Sequence, residues 1–398
     1  MLLATLLRRI IHTGYLTLTD AHGQGYSFGH PGSQPAAAMR LHDPSLHWKL
    51  ILNGALHLGE AYMAGTLTVP PPYSIRDLLA VFSINMVSGE AGLFSPLVRT
   101  FLPILQRVQQ FNPGRRARHN SVSHYDLSAQ LFDLFLDQNR QYSCAYFHSG
   151  REDIDQAQAD KIRHVAAKLA LKPGMKVLDI GSGWGGLAIH LAQTHGVNVT
   201  GITLSDEHLA LSRQRAIQAG VSQQVQFFLR DYRQETGRYD RIVSIGMLEH
   251  VGVPHYRTFF RKIKECLTPQ GVALVHSIGR VDGPGTTHPW LRKYIFPGGY
   301  APALSEIFPV VEDLFFYVTD VEILRLHYAE TLERWAKRFQ TRRGEAAALY
   351  DERFCRMWEF YLYACEMDFR YLGTMVFQIQ LTKSINALPL TRDYMMGS

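Results

Sequence analysis

The stretch that most constrains the fold is Lys176-Val-Leu-Asp-Ile-Gly-Ser-Gly-Trp-Gly-Gly186. Lys176 to Ile180 reads as a buried parallel strand. Gly181, Gly183, Gly185 and Gly186 then make a turn in which no side chain blocks the backbone, and Leu187-Ala-Ile-His-Leu-Ala192 reads as the helix that follows. Strand, glycine turn and helix in succession open a nucleotide site in an α/β sheet, because only glycine lets backbone N–H groups approach a ligand so closely. Gly181, Gly183 and Gly186 also fit the G-x-G-x-x-G spacing of a nicotinamide site. Two details argue against that site: Asp179 sits two residues before the first glycine, and the turn itself reads Asp-Ile-Gly-Ser-Gly-Trp-Gly.

The pattern around this stretch repeats it. Strands are expected at Val177–Gly181, Val197–Ile202, Val225–Leu229, Arg241–Gly246 and Val272–Ile278. Helices are expected at Gly186–Thr194, Asp206–Ala219 and Pro254–Leu267. Such alternation predicts a doubly wound, mostly parallel sheet with its ligand at the carboxyl ends of the strands. A long insertion rich in glycine and proline covers Arg280 to Pro309, and Val318–Leu326 and Thr374–Thr382 add strands beyond it. Ile154 to Leu169 is expected to be a helix, acidic at its start and cationic later, as the macrodipole prefers.

With 398 residues the chain is long enough for two domains. The division is expected near residue 120, giving 1–120 as a smaller N-terminal domain with its linker and 121–398 as the nucleotide-type domain. In the first, Leu2 to Ile11 reads as a short amphipathic helix edged by Arg8 and Arg9. Tyr15–Thr19 alternates like a strand, and Leu46 to Met63 reads as helix interrupted by Gly54 and Gly59. From Arg99 to Arg118 there is no acidic residue, and five arginines interleave with apolar side chains. That span reads either as a solvated basic linker or as a surface for anionic headgroups. Net charge is +6 and the isoelectric point about 9.0, which suits anionic lipid or nucleic acid without choosing between them. Cys144, Cys266, Cys355 and Cys365 form no C-x-x-C pair, so a reduced cytosolic chain without structural metal is expected. No apolar run approaches a membrane span, and the N-terminal apolar stretch is too short for a signal peptide.

The strand ends carry the chemistry. They present Thr203-Leu-Ser-Asp-Glu-His208, Arg230-Asp-Tyr232, Glu249-His-Val-Gly252, His276-Ser-Ile-Gly279 and His327-Tyr328 around one crevice. Asp231 is placed to accept from an adenine amino group. Glu249 and His276 would each read as structural if alone, but two such groups beside one pocket point to function.

The turn resembles the S-adenosylmethionine loop of Rossmann-like methyltransferases. More specifically, Tyr125-Asp-Leu-Ser128, Tyr142-Ser-Cys-Ala-Tyr-Phe147, the glycine turn, Arg241–Gly246 with Glu249-His250, Tyr294-Ile-Phe-Pro-Gly298 and Leu326-His-Tyr-Ala329 follow in the order of the cyclopropane-fatty-acid synthase family. The N-terminal region resembles it more loosely, through Gly59-Glu-Ala-Tyr-Met-Ala-Gly65. The resemblance implies a Rossmann-like methyltransferase fold with a smaller N-terminal lipid-binding domain. It implies methylene transfer from S-adenosylmethionine to a cis double bond of a phospholipid acyl chain. Carried over residue by residue, Tyr142, Ser143, Asp179, Gly181, Gly183, Trp184, Thr203, Leu204, His208, Asp231 and Tyr232 would hold the cofactor. Cys144, Glu249, His276, Ile278 and Tyr328 would hold a bicarbonate ion, several through the backbone, and Cys365 aligns with a cysteine sometimes assigned as catalytic. Ser182 stands where many members have cysteine, and His208 where many have glutamine.

The chemistry fits these residues on its own terms. An alkene is a weak nucleophile, so its methyl donor must be a desolvated sulfonium, and the resulting carbocation must be kept from water. Tyr142, Tyr146, Phe147, Trp184 and Tyr294 are candidates to face that cation. A base must then take a proton for the ring to close; a bicarbonate held by Glu249, His276 and Tyr328 would do so, with Glu249 keeping His276 oriented and cationic. Drawing about ten methylenes from a bilayer into water costs roughly 8 kcal/mol, so the protein is expected to work peripherally on the inner face of the cell membrane. Its basic N-terminal region would seat it on anionic lipid, and a homodimer would widen that footprint. Two other outcomes remain open at this point: methyl transfer without ring closure, giving branched, methoxy or hydroxy chains, and a non-catalytic lipid-binding protein. A nucleic-acid partner is not expected, since no Asn-Pro-Pro-Tyr loop is present.

Overall fold

Alternation along Tyr15–Thr19 buries Leu16 and Leu18 on one face, and this strand (β1) is the seed of a small sheet. The computed structural model describes residues 2–88 and 128–396, in two compact units. In the first unit β1 pairs antiparallel with β2 (Gly25–Gly29) and parallel with β3 (Ala36–Leu41), and β3 pairs with the short β4 (Leu67–Thr68). Sequence pattern finds β1 and passes over β2 and β3, because glycine ends and an alanine run carry little strand preference. The expected N-terminal helix is present at Leu2–Ile10, with Leu3, Ala4 and Leu7 buried. Helix Leu46–Ala64 breaks at Asn53, whose φ of −153° and ψ of 71° are not helical, one residue before the expected Gly54. Gly59 does not interrupt it; a side chain there would collide with the Trp290 indole and the Phe360 ring.

Residues 287–297 and 332–373 belong with this first unit, so the units do not follow a single cut near residue 120. The cause is apolar: helix Glu352–Met367 buries Trp358, Phe360, Tyr361 and Leu362 and packs on helices Leu46–Ala64 and Ile75–Ser88. Beside them Glu366, fully buried, accepts from Arg76 at 2.6 Å and from Arg370 at 2.8 Å.

The second unit holds seven strands: β5 (Lys176–Ile180), β6 (Asn198–Thr203), β7 (Val225–Leu229), β8 (Tyr239–Ile245), β9 (Leu267–Arg280), β10 (Tyr317–Ile323) and β11 (Thr374–Thr382). Their order is β10-β11-β9-β8-β5-β6-β7. Strands β5 to β9 are mutually parallel, and β11 runs antiparallel to both neighbours. The sheet is therefore doubly wound and mostly parallel, with apolar layers on both faces. Leu178, Ile202, Phe259 and Phe260 pack on one side, and Val177, Val199, Leu187 and Leu191 on the other. The chain leaves β5 toward β6 and β7, then returns to place β8 on the opposite side of β5. A ligand crevice belongs at that reversal.

Candidate active site

Everything at the reversal depends on the turn after β5. Gly181, Gly183 and Gly185 have φ of +85°, +50° and +80°, values that side-chain-bearing residues avoid. The Gly181 and Ser182 amides donate to the Ile202 carbonyl at 3.0 Å, locking the turn to β6. A Cβ on Gly183 would meet no atom within 4 Å, so this position faces open space. Helix Gly186–His195 begins directly after, its first N–H groups without helical acceptors.

One cavity opens there. Tyr142, Ser143, Asp179, Gly181, Gly183, Trp184, Thr203, Leu204, His208, Asp231 and Tyr232 all line it. His250 and Val251, expected at the crevice, line it too, as does Gln141; Arg140, Met247 and His255 also line it and were not anticipated, since no motif marks them. The Asp179 carboxyl is buried, its Oδ2 has no hydrogen-bond partner among the described residues, and burial pushes its pKa up to about 7 against the pull of Lys161. Burial pushes His208 down to about 4, so its ring, 4.7 Å from the Trp184 ring, is neutral. Burial would raise Asp231, but the Arg233 guanidinium and amide outweigh it and hold the carboxylate low. Asp231 Oδ1 accepts from Arg233 Nε at 2.8 Å, and Oδ2 from the same guanidinium at 2.5 Å. Oδ1 also accepts from the Arg233 amide at 2.9 Å, so Oδ2 is the oxygen that keeps an acceptor position.

The residues expected to hold an anion all belong to the second unit and form two groups by the elements that carry them. Glu249 Oε1 accepts from the Ile278 amide at 2.6 Å, while Oε2 is buried with no partner among the described residues. Burial pushes Glu249 up to about 7. His276 shares a face of β9 with Ile278, and its Nδ1 lies 3.2 Å from the Gln378 amide nitrogen across the β9–β11 register. Burial pushes His276 down to about 3. The expectation of a cationic His276 oriented by Glu249 is thus overturned: the ring is neutral, its partner is Gln378, and Glu249 is bonded to Ile278. In the other group, the segment carrying Cys144 is tied to the start of helix His327–Thr341, which carries the buried Tyr328. Ala145 N donates to Thr331 Oγ1 and Phe147 N to His327 Nδ1, both at 3.0 Å. Burial pushes the Cys144 thiol well above its ordinary range.

Cys365 is not among these groups; it lies buried on helix Glu352–Met367 in the first unit. Of the aromatic candidates, Tyr142 and Trp184 face the cavity. Tyr146 is stacked between His164 at 4.2 Å and His327 at 4.7 Å, and Phe147 lies against His327. Tyr294, in the first unit, donates to Glu60 at 2.8 Å. Tyr125-Asp-Leu and the basic Arg99–Arg118 span lie outside the described residues.

Comparison with known proteins meets this geometry. Residues 113–379 match the mycolic acid cyclopropane synthetase family. The cyclopropane-fatty-acyl-phospholipid synthase of Escherichia coli (strain K12) is 36% identical over 366 residues, which is 91% of this chain and 92% of that one. A probable fatty acid methyltransferase of Pseudomonas putida is 39% identical over 383 residues, 92% of each chain. The solved structure of the mycolic acid cyclopropane synthase CmaA1 complexed with SAH and CTAB is 33% identical, with a TM-score of 0.63, covering 68% of this chain and 99% of that one. Motif order, sheet topology and cavity agree with these matches: the chain belongs to the mycolic acid cyclopropane synthetase family and is one of its S-adenosylmethionine-dependent methyltransferases.

Proposed function

We propose that the chain transfers a methylene from S-adenosylmethionine to a cis double bond of a phospholipid acyl chain and closes a cyclopropane ring. The observation that carries this reading is the convergence of all eleven expected cofactor residues on one cavity, whose lining includes Asp179 with its unpartnered Oδ2, and buried Glu249 following the neighbouring strand β8. The residues fit the cofactor. Asp179 offers an acceptor to a methionyl ammonium, Thr203 and His208 flank a ribose, and Asp231 Oδ2 keeps an acceptor position for an adenine amine. The cofactor supplies one electrophilic methyl group on a sulfonium. Tyr142 and Trp184 present ring faces where the acyl cation needs shielding from water.

A bicarbonate ion is the proposed base. Glu249 Oε2 is free to accept its hydroxyl proton, and Tyr328 brings a donor. The Ile278 amide is already engaged by Glu249, so it is a weaker candidate than the others.

The first unit is proposed to seat the enzyme on phospholipid at the membrane surface. Trp48 and Leu52, four residues apart on helix Leu46–Ala64, are 58% and 80% exposed beside Lys49, the pattern of an interface-lying helix. No helix among the described residues is long and apolar enough to cross a membrane. Sedimentation with anionic vesicles tests the seating: loss of Trp48 and Leu52 leaving binding unchanged would refute it.

A second reading keeps the first methyl transfer and omits ring closure; the likeness to a probable fatty acid methyltransferase supports it. Gas chromatography with mass detection of fatty acids from cells expressing the chain separates the two. A product heavier by one CH₂ with no double bond and a ring fragmentation pattern is expected. A branched chain would favour the second reading, and an unaltered fatty acid profile would defeat both.

A further inference from the structure

Helix Ile154–Leu169 buries a lysine that none of the chemistry above uses. Lys161 is fully buried, and its Nζ donates to Gln141 Oε1 at 2.5 Å and to Ser143 Oγ at 3.0 Å. One turn earlier, Gln158 Nε2 donates to the Ser143 carbonyl at 2.8 Å and to the Gln141 carbonyl at 3.2 Å. From the opposite side Arg215 donates to the Trp184 carbonyl at 2.9 Å and the Asn139 carbonyl at 3.3 Å. The segment between is held on both flanks, and its residues Gln141, Tyr142 and Ser143 form one wall of the cavity. A Cβ on Gly186 would run into the Asn139 carbonyl, so the segment sits directly on the helix that follows the glycine turn.

Hydrogen bonding alone does not require a cation here. An ammonium is expensive to bury, and a methionine of similar volume would fill the space without that cost. The charge has to be used by its surroundings. The titratable groups in its field are Asp137 on the preceding loop, Cys144, Asp179 on β5 and His276 on β9. Asp137 is already satisfied by the Gln141 and Asn139 amides, both at 2.8 Å. Cys144 and His276 are neutral through burial. Asp179 alone combines a cavity position with an unpartnered oxygen.

We propose that Lys161 is a positioning residue of the cofactor cavity, holding Gln141–Ser143 against the glycine turn while its charge keeps Asp179 in the carboxylate form that accepts from the ligand. The inference rests on reading this cavity as the S-adenosylmethionine site.

Calorimetric titration of the full chain with S-adenosylhomocysteine, from about pH 6 to about pH 9, tests it in wild type, Lys161→Met and Lys161→Gln. Wild type should bind, with affinity falling as the pH drops through about 7, where Asp179 takes up its proton. Lys161→Met should bind on the order of 30-fold more weakly near neutrality, with the acidic fall displaced to higher pH because no cation opposes protonation of Asp179. Lys161→Gln keeps a donor toward Ser143, so it should lose less affinity yet show the same displacement. The ligand's own amine titrates identically in all three; burial pushes Lys161 down to about 8, so wild-type affinity should also fall above that pH, a limb both variants lack. A lysine that merely supports the fold would lower affinity by the same factor at every pH; that result, or unchanged affinity in both variants, overturns the proposal. Should Lys161→Met fail to fold, the Lys161→Gln profile decides; should both fail, a wild-type profile flat across the range overturns it. Failure of wild type to bind at all would instead overturn the reading of the cavity.

Discussion

The polar groups at the carboxyl ends of β5, β6 and β7 line the cavity, whereas Glu249 and His276, beyond β8 and on β9, are engaged by groups of the sheet itself. Asp179 keeps a free oxygen at the cavity, and Gly183 faces open space. Glu249 also keeps one unpartnered oxygen, but its other oxygen accepts from the Ile278 amide, and His276 is paired with Gln378. Both carboxyls are pushed up to about 7 by burial, so the environment alone does not tell them apart. What differs is the neighbour: Lys161 pulls Asp179 toward its charged form, while Glu249 has only neutral donors. The first region is organised to receive a zwitterion and a cationic sulfur. The second is buried and nearly uncharged, which under the proposed reaction would suit a transient carbocation and a weak base.

The largest effect should come from closing the first region. Gly183→Val puts a branched side chain at a φ of +50°, in the space a ligand must occupy. Binding of S-adenosylhomocysteine should fall by more than about 100-fold, since both backbone strain and filled volume act against it. Retained binding would show that the ligand does not use this turn. Glu249→Gln should separate the regions. Cofactor affinity should stay within about twofold, while turnover drops by about tenfold or more, the usual range for a group assisting proton transfer. The charged fraction of Glu249 rises with pH through about 7. Turnover at saturating cofactor should therefore rise across that window in wild type and lose this limb in Glu249→Gln. A variant of full activity would remove Glu249 from the mechanism.

Why one region is legible in sequence and the other less so follows from their physics. Backbone demands leave marks: glycines at positive φ, period-two burial, and polar residues exposed at strand ends. The strands β5 to β9, the glycine turn and the strand-end runs Thr203–His208 and Arg230–Tyr232 could be read that way, to within a residue or two at most strand boundaries, whereas the cofactor roles of the eleven cavity residues come from the family resemblance. Ion states leave none. His276 reads as a candidate cation until the sheet is assembled and Gln378 is found opposite. Lys161 and Lys168 read as favourable to the helix dipole, yet both are buried. Their spacing did hold the signal. Residues 154, 157, 158, 161, 162, 165, 168 and 169 form one stripe at helical period, and the two lysines fall on it among apolar neighbours. The affiliation of 287–297 and 332–373 with the N-terminal unit was beyond reach, because their partners are 233 to 297 residues away in sequence.

The smallest effect is expected in the first unit. Cys365 sits on helix Glu352–Met367 in the first unit, beside Glu366 and its two arginines. Burial, with Asp368 adding to it, pushes its thiol well above the ordinary value, and only a thiolate is a competent nucleophile. Cys365→Ser exchanges an apolar sulfur for a hydroxyl, which within a helix bonds back to the carbonyl one turn earlier. Turnover should stay within about twofold of wild type, while stability drops by about 1 kcal/mol from the altered packing. Thermal unfolding measured alongside turnover distinguishes the two consequences. A variant that melts normally and is inactive would move the chemistry to the first unit. It would also leave the dry cluster around Glu249 without the role its burial suggests, because a soft, ionised sulfur needs the hydrated or cationic setting that neither Cys365 nor that cluster provides.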